Sequence, residues 1–294
     1  MIEQAAELGS GKGHRDENFP VASVLIAPRH RPIILAFYRF ARVADDVADN
    51  AAAPADEKLR LLDGMRRTLL GELDTQPEAS VLRVMLAARG LSPQHGLDLI
   101  EAFSRDVTKL RYRDWNDLMD YCHVSAMPVG RFVLDVHGEP RTLWQACDAL
   151  CAALQIINHL QDCAKDYREL NRVYIPLDGF AAAGLGPESL NEPRASASLR
   201  GLIAGLAKRT SELLVQSRNF AAGVRDSRLA FEISVIQVLA EDLCRRLIQR
   251  DPLCERVHHR KSEIAALAAL AAWRFGAGRL RRRQVDIVIA DERR

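Results

Sequence analysis

The sequence predicts an all-α protein built as one domain. Three observations carry that expectation. Apolar residues recur with a helical period from Pro32 almost to the C-terminus, while alternating strand-like patterns are scarce. Gly, Pro, Ser and Asn cluster in one clear loop region, Asp178 to Ser198. Two acidic motifs, Asp45-Asp46-Val47-Ala48-Asp49 and Asp162-Cys163-Ala164-Lys165-Asp166, each place aspartates at i and i+4 inside helix-patterned segments. That spacing sets both carboxylates on one helix face, one turn apart.

Taken in order, Arg31-Pro32 opens the first helix, because proline is tolerated in a first turn. Ile34, Phe37, Phe40, Val43 and Val47 carry its apolar stripe. Helical stretches follow over 57–73 and 79–88. Ser92-Pro93 starts the next, through Leu97, Ile100 and Phe103. The pattern over 117–137 predicts one further helix, with Gly138-Glu139-Pro140 as its stop signal. Thr142 to Tyr167 is long and apolar on several faces, as a central buried helix would be. Helices resume over 199–221, 228–250 and 261–273, and Val285 to Ile289 reads as a short strand in a charged tail. The expected organisation is a polar, flexible N-terminal segment (1–17), a helical domain (18–275) and a charged C-terminal tail (276–294).

Bulk properties narrow the function. The 294 residues are 48% hydrophobic and 27% charged, a folded globular composition, and the formal net charge of +2 argues for no nucleic-acid partner. The six cysteines form no CxxC. Cys147 and Cys151 sit one turn apart in an apolar run, which suits reduced thiols and a cytoplasmic setting. The N-terminus lacks the apolar core of a signal peptide, and no apolar run approaches the length of a membrane span. The basic cluster Arg279-Leu280-Arg281-Arg282-Arg283 would suit peripheral contact with an anionic membrane, against the default of a solvated tail. His258-His259 lies in a basic patch and is expected to be exposed. Oligomeric state is not legible in the sequence.

Two polar stripes carry the chemistry. Tyr38, Arg42, Asp45 and Asp49 follow offsets of four, three and four on the first helix. Taken alone, that segment is explained slightly better by a solvated face with an ordinary Arg–Asp pair than by a phosphate site, although the wide apolar surface leaves little room for an exposed face. Gln155, Asn158, Asp162 and Asp166 are stronger, because they run through the most apolar helix of the chain, where an unpaired charge is very costly. Nothing nearby in the sequence supplies enough Lys or Arg to neutralise four aspartates. Mg²⁺ would, being a hard cation that takes oxygen ligands and shares them with substrate phosphates. A third segment, Asp106 to Gly130, holds Arg111-Tyr112, Tyr121 and the small residues Ser125, Ala126 and Gly130. These would either lower a cavity wall for a long apolar ligand or permit close helix packing. Pro128 would bend that helix.

These motifs, in this order, resemble the squalene/phytoene synthase type of isoprenyl diphosphate synthase. The likeness runs from about Asn18 to Leu270. Phe37-Tyr38-Arg39-Phe40-Ala41-Arg42 with Asp45 to Asp49 resembles the family's first aspartate motif. Tyr121 to Gly130 resembles its middle helix, Gln155 to Asp166 its second aspartate motif, and Arg172-Val173-Tyr174-Ile175-Pro176 the segment after it. Within the family, Asp16 to Ser23, Asp106 to Lys109, Ser125 to Phe132 and Asn158 to Cys163 look most like the bacterial hydroxysqualene synthases of hopanoid pathways. Gln161 stands where a basic residue often precedes the second motif.

The resemblance implies a terpenoid-synthase-type helical bundle with a central cavity. It implies Mg²⁺-assisted ionisation of presqualene diphosphate, rearrangement and water capture to give hydroxysqualene, with no NADPH. By the same carry-over, Asp45, Asp49, Asp162 and Asp166, with Asn158, are expected at the metal. Arg42, Tyr121, Ser125, Gln155, Arg172, Tyr174 and Phe37 are expected around the substrate, with Phe40 and Val129 shaping the apolar part. Tyr38 is expected among the catalytic groups, and Tyr38, Tyr121 and Tyr174 are the candidates for positioning water. Two alternatives stay open. One is head-to-head condensation of two prenyl diphosphates by a presqualene diphosphate, squalene or phytoene/dehydrosqualene synthase. The other, of a different class, is a non-catalytic helical assembly factor, against which the intact aspartates speak.

Overall fold

Helix boundaries follow the local chemistry closely. The computed structural model describes the backbone of residues 26–291 and the side chains of residues 26–276. The expected N-terminal segment and the side chains of Arg279 to Arg283 therefore lie outside the described residues. Helix α1 (Arg31–Asp49) begins on Pro32 and buries Ile33, Ile34, Phe37, Phe40 and Val47. With α2 (Ala55–Leu70), α3 (Pro77–Ala87) and α4 (Gln94–Thr108) it encloses one core, to which Phe132 and Val136 are added from later in the chain.

The helix expected over 117–137 is two helices, α5 (Trp115–Ser125) and α6 (Met127–His137). Pro128 has no N–H to return to the carbonyl of Val124, so the ladder fails there and Ala126 takes φ −101°. Asp114 caps α5 by accepting from the backbone N–H of Asp117 at 2.9 Å. Gly138, with φ +69°, closes α6 in the left-handed conformation. Helix α7 (Trp144–Leu170) has 27 residues, roughly 40 Å of helix, and buries Leu150, Ala153, Ile156, Ile157 and Leu160.

The region expected as loop holds a short helix, α8 (Leu177–Ala182), and a 3₁₀ turn over Pro187–Asn191. The next stretch divides into α9 (Ala197–Gln216), capped by Ser196, and α10 (Phe220–Gly223). Asp226 caps α11 (Ser227–Gln249), and the buried Glu139 carboxylate accepts from the backbone N–H groups of Arg225 and Asp226 at 2.8–3.0 Å. Helix α12 (Lys261–Asp291) runs on through the tail, so Val285 to Ile289 is helical rather than a strand. No Gly or Pro follows Gly278 to stop it.

A second core joins α5, α7, α9 and α11. Where the two cores meet lies a cavity of about 380 Å³, lined by α1, α6, α7 and α11. A single parallel bridge, Arg111 to Val173, lays segment 110–113 beside 173–178 near the end of α7. All six cysteines are free thiols.

Gly130 serves both roles that its segment suggests. It lines the cavity, and a Cβ there would lie 2.5 Å from Sγ of both Cys147 and Cys151. Helix α6 thus meets α7 with no room for a methyl group. Gly130→Ala should lower stability by about 1–3 kcal/mol, as overpacking does, and Cys151→Ala in the same chain should recover part of that loss. Thermal midpoints of the two variants measure this; an unchanged midpoint for Gly130→Ala would show that the thiols swing away freely.

Candidate active site

Two guanidinium groups shape the first acidic motif. Arg42 donates from Nη1 to Oδ2 of Asp45 at 2.8 Å and from Nη2 to Oδ1 of Asp46 at 2.5 Å. Asp46 is buried and serves as an ion-pair partner. Arg172 lies 123 positions from Asp49 and donates to its Oδ1 at 2.5 Å. The same group donates to the carbonyls of Ala48 at 2.9 Å and Asp106 at 3.1 Å. The expectation that no sufficient base lies near is corrected for this motif, because tertiary folding supplies Arg172. All three nitrogens of Arg172 point at protein acceptors.

Neutralisation is nevertheless incomplete. Burial, then repulsion from Asp49, pushes the Asp45 carboxyl up to about 7. Burial, then Asp162, then Asp49 from the other motif, pushes Asp166 up to about 7. The two motifs therefore face one another closely enough to repel. Asn158 and Gln155 stand on the same α7 stripe, one and two turns before Asp162. Gln155 bonds to His159 at 3.0 Å. Among the described residues, no three carboxylate, imidazole or thiol groups converge into a ready-made cation site. Asp45, Asp49, Asp162 and Asp166 are carboxylates and Asn158 an amide, oxygen donors of the kind that would suit Mg²⁺.

Beneath the motifs lies a network that the sequence reading missed. Asp106, at the end of α4, accepts hydrogen bonds from Tyr121 at 2.6 Å and Tyr174 at 2.9 Å. Burial raises its carboxyl to about 6. Tyr112, Tyr121 and Tyr174 pack together, and His159 stacks on Tyr174 with ring centroids 3.4 Å apart. Burial, with Arg172 adding to it, lowers His159 to about 3, so the ring is neutral. A signal for Asp106 existed: it continues the stripe of Leu99 and Phe103 on the face of α4 that turns inward.

Of the expected site residues, Phe37, Tyr38, Arg42 and Asp45 line the apolar cavity, as does Val129. Asp49, Asp166, Arg172, Tyr121 and Tyr174 gather at its acidic end through the contacts above. Phe40 does not line the cavity; it is fully buried in the first core. Ser125 Oγ is buried without a hydrogen-bond partner. Tyr121 and Tyr174 donate their hydroxyls to Asp106, which leaves Tyr38 as the cavity-lining tyrosine of the three. Glu232 of α11 also lines the cavity and was not anticipated. His259, expected to be exposed, is held against Asp242 at 2.9 Å with its side chain 6% exposed.

Comparison with known proteins agrees with this geometry. The sequence profile of the squalene/phytoene synthase family matches residues 13–263. The chain is 57% identical to the hydroxysqualene synthase of Rhodopseudomonas palustris, over 92% of this chain and 94% of that one. It is 56% identical to the hydroxysqualene synthase of Zymomonas mobilis, over 94% and 92%. Among solved structures, the squalene synthase HpnC of Alicyclobacillus acidocaldarius superposes with a TM-score of 0.69 at 32% identity, covering 82% of this chain and 90% of that one.

The raised carboxyls make cation binding depend on pH. Asp45 and Asp166 keep their protons to about pH 7, and a bound cation must displace them. Mg²⁺ should raise the thermal midpoint more at pH 8 than at pH 6. Its half-effect concentration should fall roughly tenfold for each proton displaced. Without metal the sign reverses. Both pKa values lie above the ordinary 3.8, so the stability these groups contribute is complete below about pH 4 and is lost as pH rises through about 7. Calorimetry across this range checks both; an equal Mg²⁺ effect at pH 6 and 8 would count against these carboxyls as ligands.

Proposed function

The chain belongs to the squalene/phytoene synthase family, and from that premise we propose that it converts presqualene diphosphate to hydroxysqualene with bound Mg²⁺. The observation that carries this reading is an acidic mouth, built from α1 and α7, set against a largely apolar cavity. One substrate class needs both: a diphosphate on a long hydrocarbon. The two curated relatives above half identity bear the name hydroxysqualene synthase, and this favours water capture over condensation. The condensing alternatives share the acidic mouth, while a non-catalytic assembly factor would have no use for it.

Asp45, Asp49, Asp162 and Asp166, with Asn158, are the residues that would hold Mg²⁺. When bound, the ion neutralises the departing diphosphate and polarises its oxygens. Arg42, at the boundary between mouth and cavity, orients the diphosphate by charge-assisted hydrogen bonds. Arg172 fixes Asp49 and the last turn of α1. Phe37 and Tyr38 offer ring faces to a carbocation, whose charge their quadrupoles attract. The apolar walls exclude bulk water, so that capture is limited to a held molecule.

Contact with an anionic membrane completes the proposal, since substrate and product are hydrocarbon-rich. No helix among the described residues is long and apolar enough to cross a membrane. Trp273 of α12 is 71% exposed, with Leu270 exposed one turn before it and Arg274 beside it. An exposed tryptophan next to basic groups suits the interfacial region of a bilayer.

Asp45→Asn and Asp162→Asn should each keep the fold and lower turnover by at least about 10²-fold, as loss of electrostatic stabilisation at a leaving group does. Wild-type protein given presqualene diphosphate and Mg²⁺ in ¹⁸O-labelled water, without nicotinamide, should form labelled hydroxysqualene. Squalene appearing only with NADPH would support a reductive enzyme instead. A C40 hydrocarbon or presqualene diphosphate from prenyl diphosphates alone would support a condensing one. In flotation assays the protein should rise with anionic vesicles at low salt and less so at high salt, and Trp273→Ala should weaken that binding. No flotation at low salt would remove the membrane from the reading.

A further inference from the structure

Glu232 is a carboxylate in a wall that is otherwise apolar. Helix α11 turns Leu229, Glu232, Ile233 and Ile236 to the cavity, a single stripe with offsets of three, one and three. Three of the four are the aliphatic residues that a hydrocarbon cavity calls for. Helix α1 lines the same cavity with Phe37, Tyr38, Ala41, Arg42 and Asp45. Glu232 is 4% exposed. It does have interactions with the protein, and its Oε2 is buried. Replacing it with an aliphatic residue would complete the wall. A hydrocarbon ligand does not call for a carboxyl group at this place in the wall, whereas a polar reaction partner inside the cavity does.

We propose that Glu232 holds the water that captures the carbocation and accepts its proton. The inference rests on the reaction proposed above. Ionisation breaks the carbon–oxygen bond, and the diphosphate leaves with the electron pair. The water oxygen then forms a new bond to the cationic carbon, one O–H bond breaks, and that proton passes to the Glu232 carboxylate. Product and protonated glutamic acid balance the cation, the water and the carboxylate. The competing fate of any carbocation in an apolar pocket is loss of a proton from a neighbouring carbon, which gives a hydrocarbon. A carboxylate beside one water favours capture in two ways. It orients a lone pair of the water toward the cation, and its negative charge draws positive charge to that end of the cavity.

The diagnostic quantity is the ratio of hydroxysqualene formed to diphosphate released, measured on presqualene diphosphate with Mg²⁺ in ¹⁸O-labelled water. For the wild-type protein the ratio should be near one. Glu232→Gln keeps the shape and removes the charge; Glu232→Leu completes the apolar wall. In both, the ratio should fall at least about tenfold, a modest share of what a general base contributes, with diene or cyclopropyl hydrocarbons making up the difference. Glu232→Asp should restore part of the alcohol, which a purely structural role would not require. Thermal midpoints identify any variant that fails to fold, and the Glu232→Asp ratio then decides alone against wild type. An unchanged ratio in the Gln and Leu variants overturns the proposal. So does a loss of alcohol and diphosphate release in equal proportion, which would place Glu232 in binding or ionisation. If wild-type protein makes no alcohol, the proposed reaction itself fails, a result separate from any effect of Glu232.

Discussion

Arg172 is the joint on which the acidic mouth depends. Its one guanidinium binds a side chain and a carbonyl at the end of α1 and a carbonyl at the end of α4, from a residue just past the end of α7. Three elements that share little sequence locality are fixed by one planar, permanently charged group. The geometry matters because the charge is buried. Arg172 is the buried end of this pair, while Asp49 keeps part of its side chain in solvent, so losing Asp49 would leave the guanidinium to its two carbonyl partners alone. The mouth can therefore hold Asp49 and Asp166 near one another, against their repulsion, without relying on a cation to keep the helices in place.

The rest of the architecture divides the work by polarity. Two separate apolar cores let the helices between them leave a space rather than close it. At one end of that space stands Asp45 of the first acidic motif, with Arg42 beside it. The remainder is bounded by Phe37, Val129, Leu150, Leu154 and the aliphatic residues of α11. Asp106 shows how polarity is kept under control at the boundary. Both its oxygens are occupied by tyrosine hydroxyls, and those rings present their apolar bodies to neighbours.

Much of this was legible in the sequence, and the gaps have physical causes. The apolar period located α1, α4, α7 and α11, and the i,i+4 aspartates marked the helices that build the mouth. Such features are local, so a window of residues contains them. The break at Ala126 was half legible: Pro128 announced a bend, but whether a proline bends or ends a helix depends on what the flanking turns pack against. The partnership of Arg172 with Asp49 was not legible, because it joins residues distant in sequence and exists only once the helices are assembled. Glu232 escaped for a different reason. On a helix with many charged residues, one glutamate reads as solvated until the structure shows which face is turned inward. Asp106 was the reverse case, a residue whose inward register could be counted from Leu99 and Phe103 but which a search for paired carboxylates passes over.

The division into two cores has a consequence for how the chain acquires its structure. The first core is made almost entirely from residues 26–107, with only Phe132 and Val136 added. Its contacts are short in sequence, so little loop-closure entropy opposes them and it can condense early. The second core draws on segments from Ala102 to Val257, and the Arg172–Asp49 tie closes a loop of more than a hundred residues. By the same argument the second core, and the Arg172–Asp49 tie with it, should form after the first. A newly made chain would carry a formed N-terminal layer for some time before Arg172 could reach Asp49.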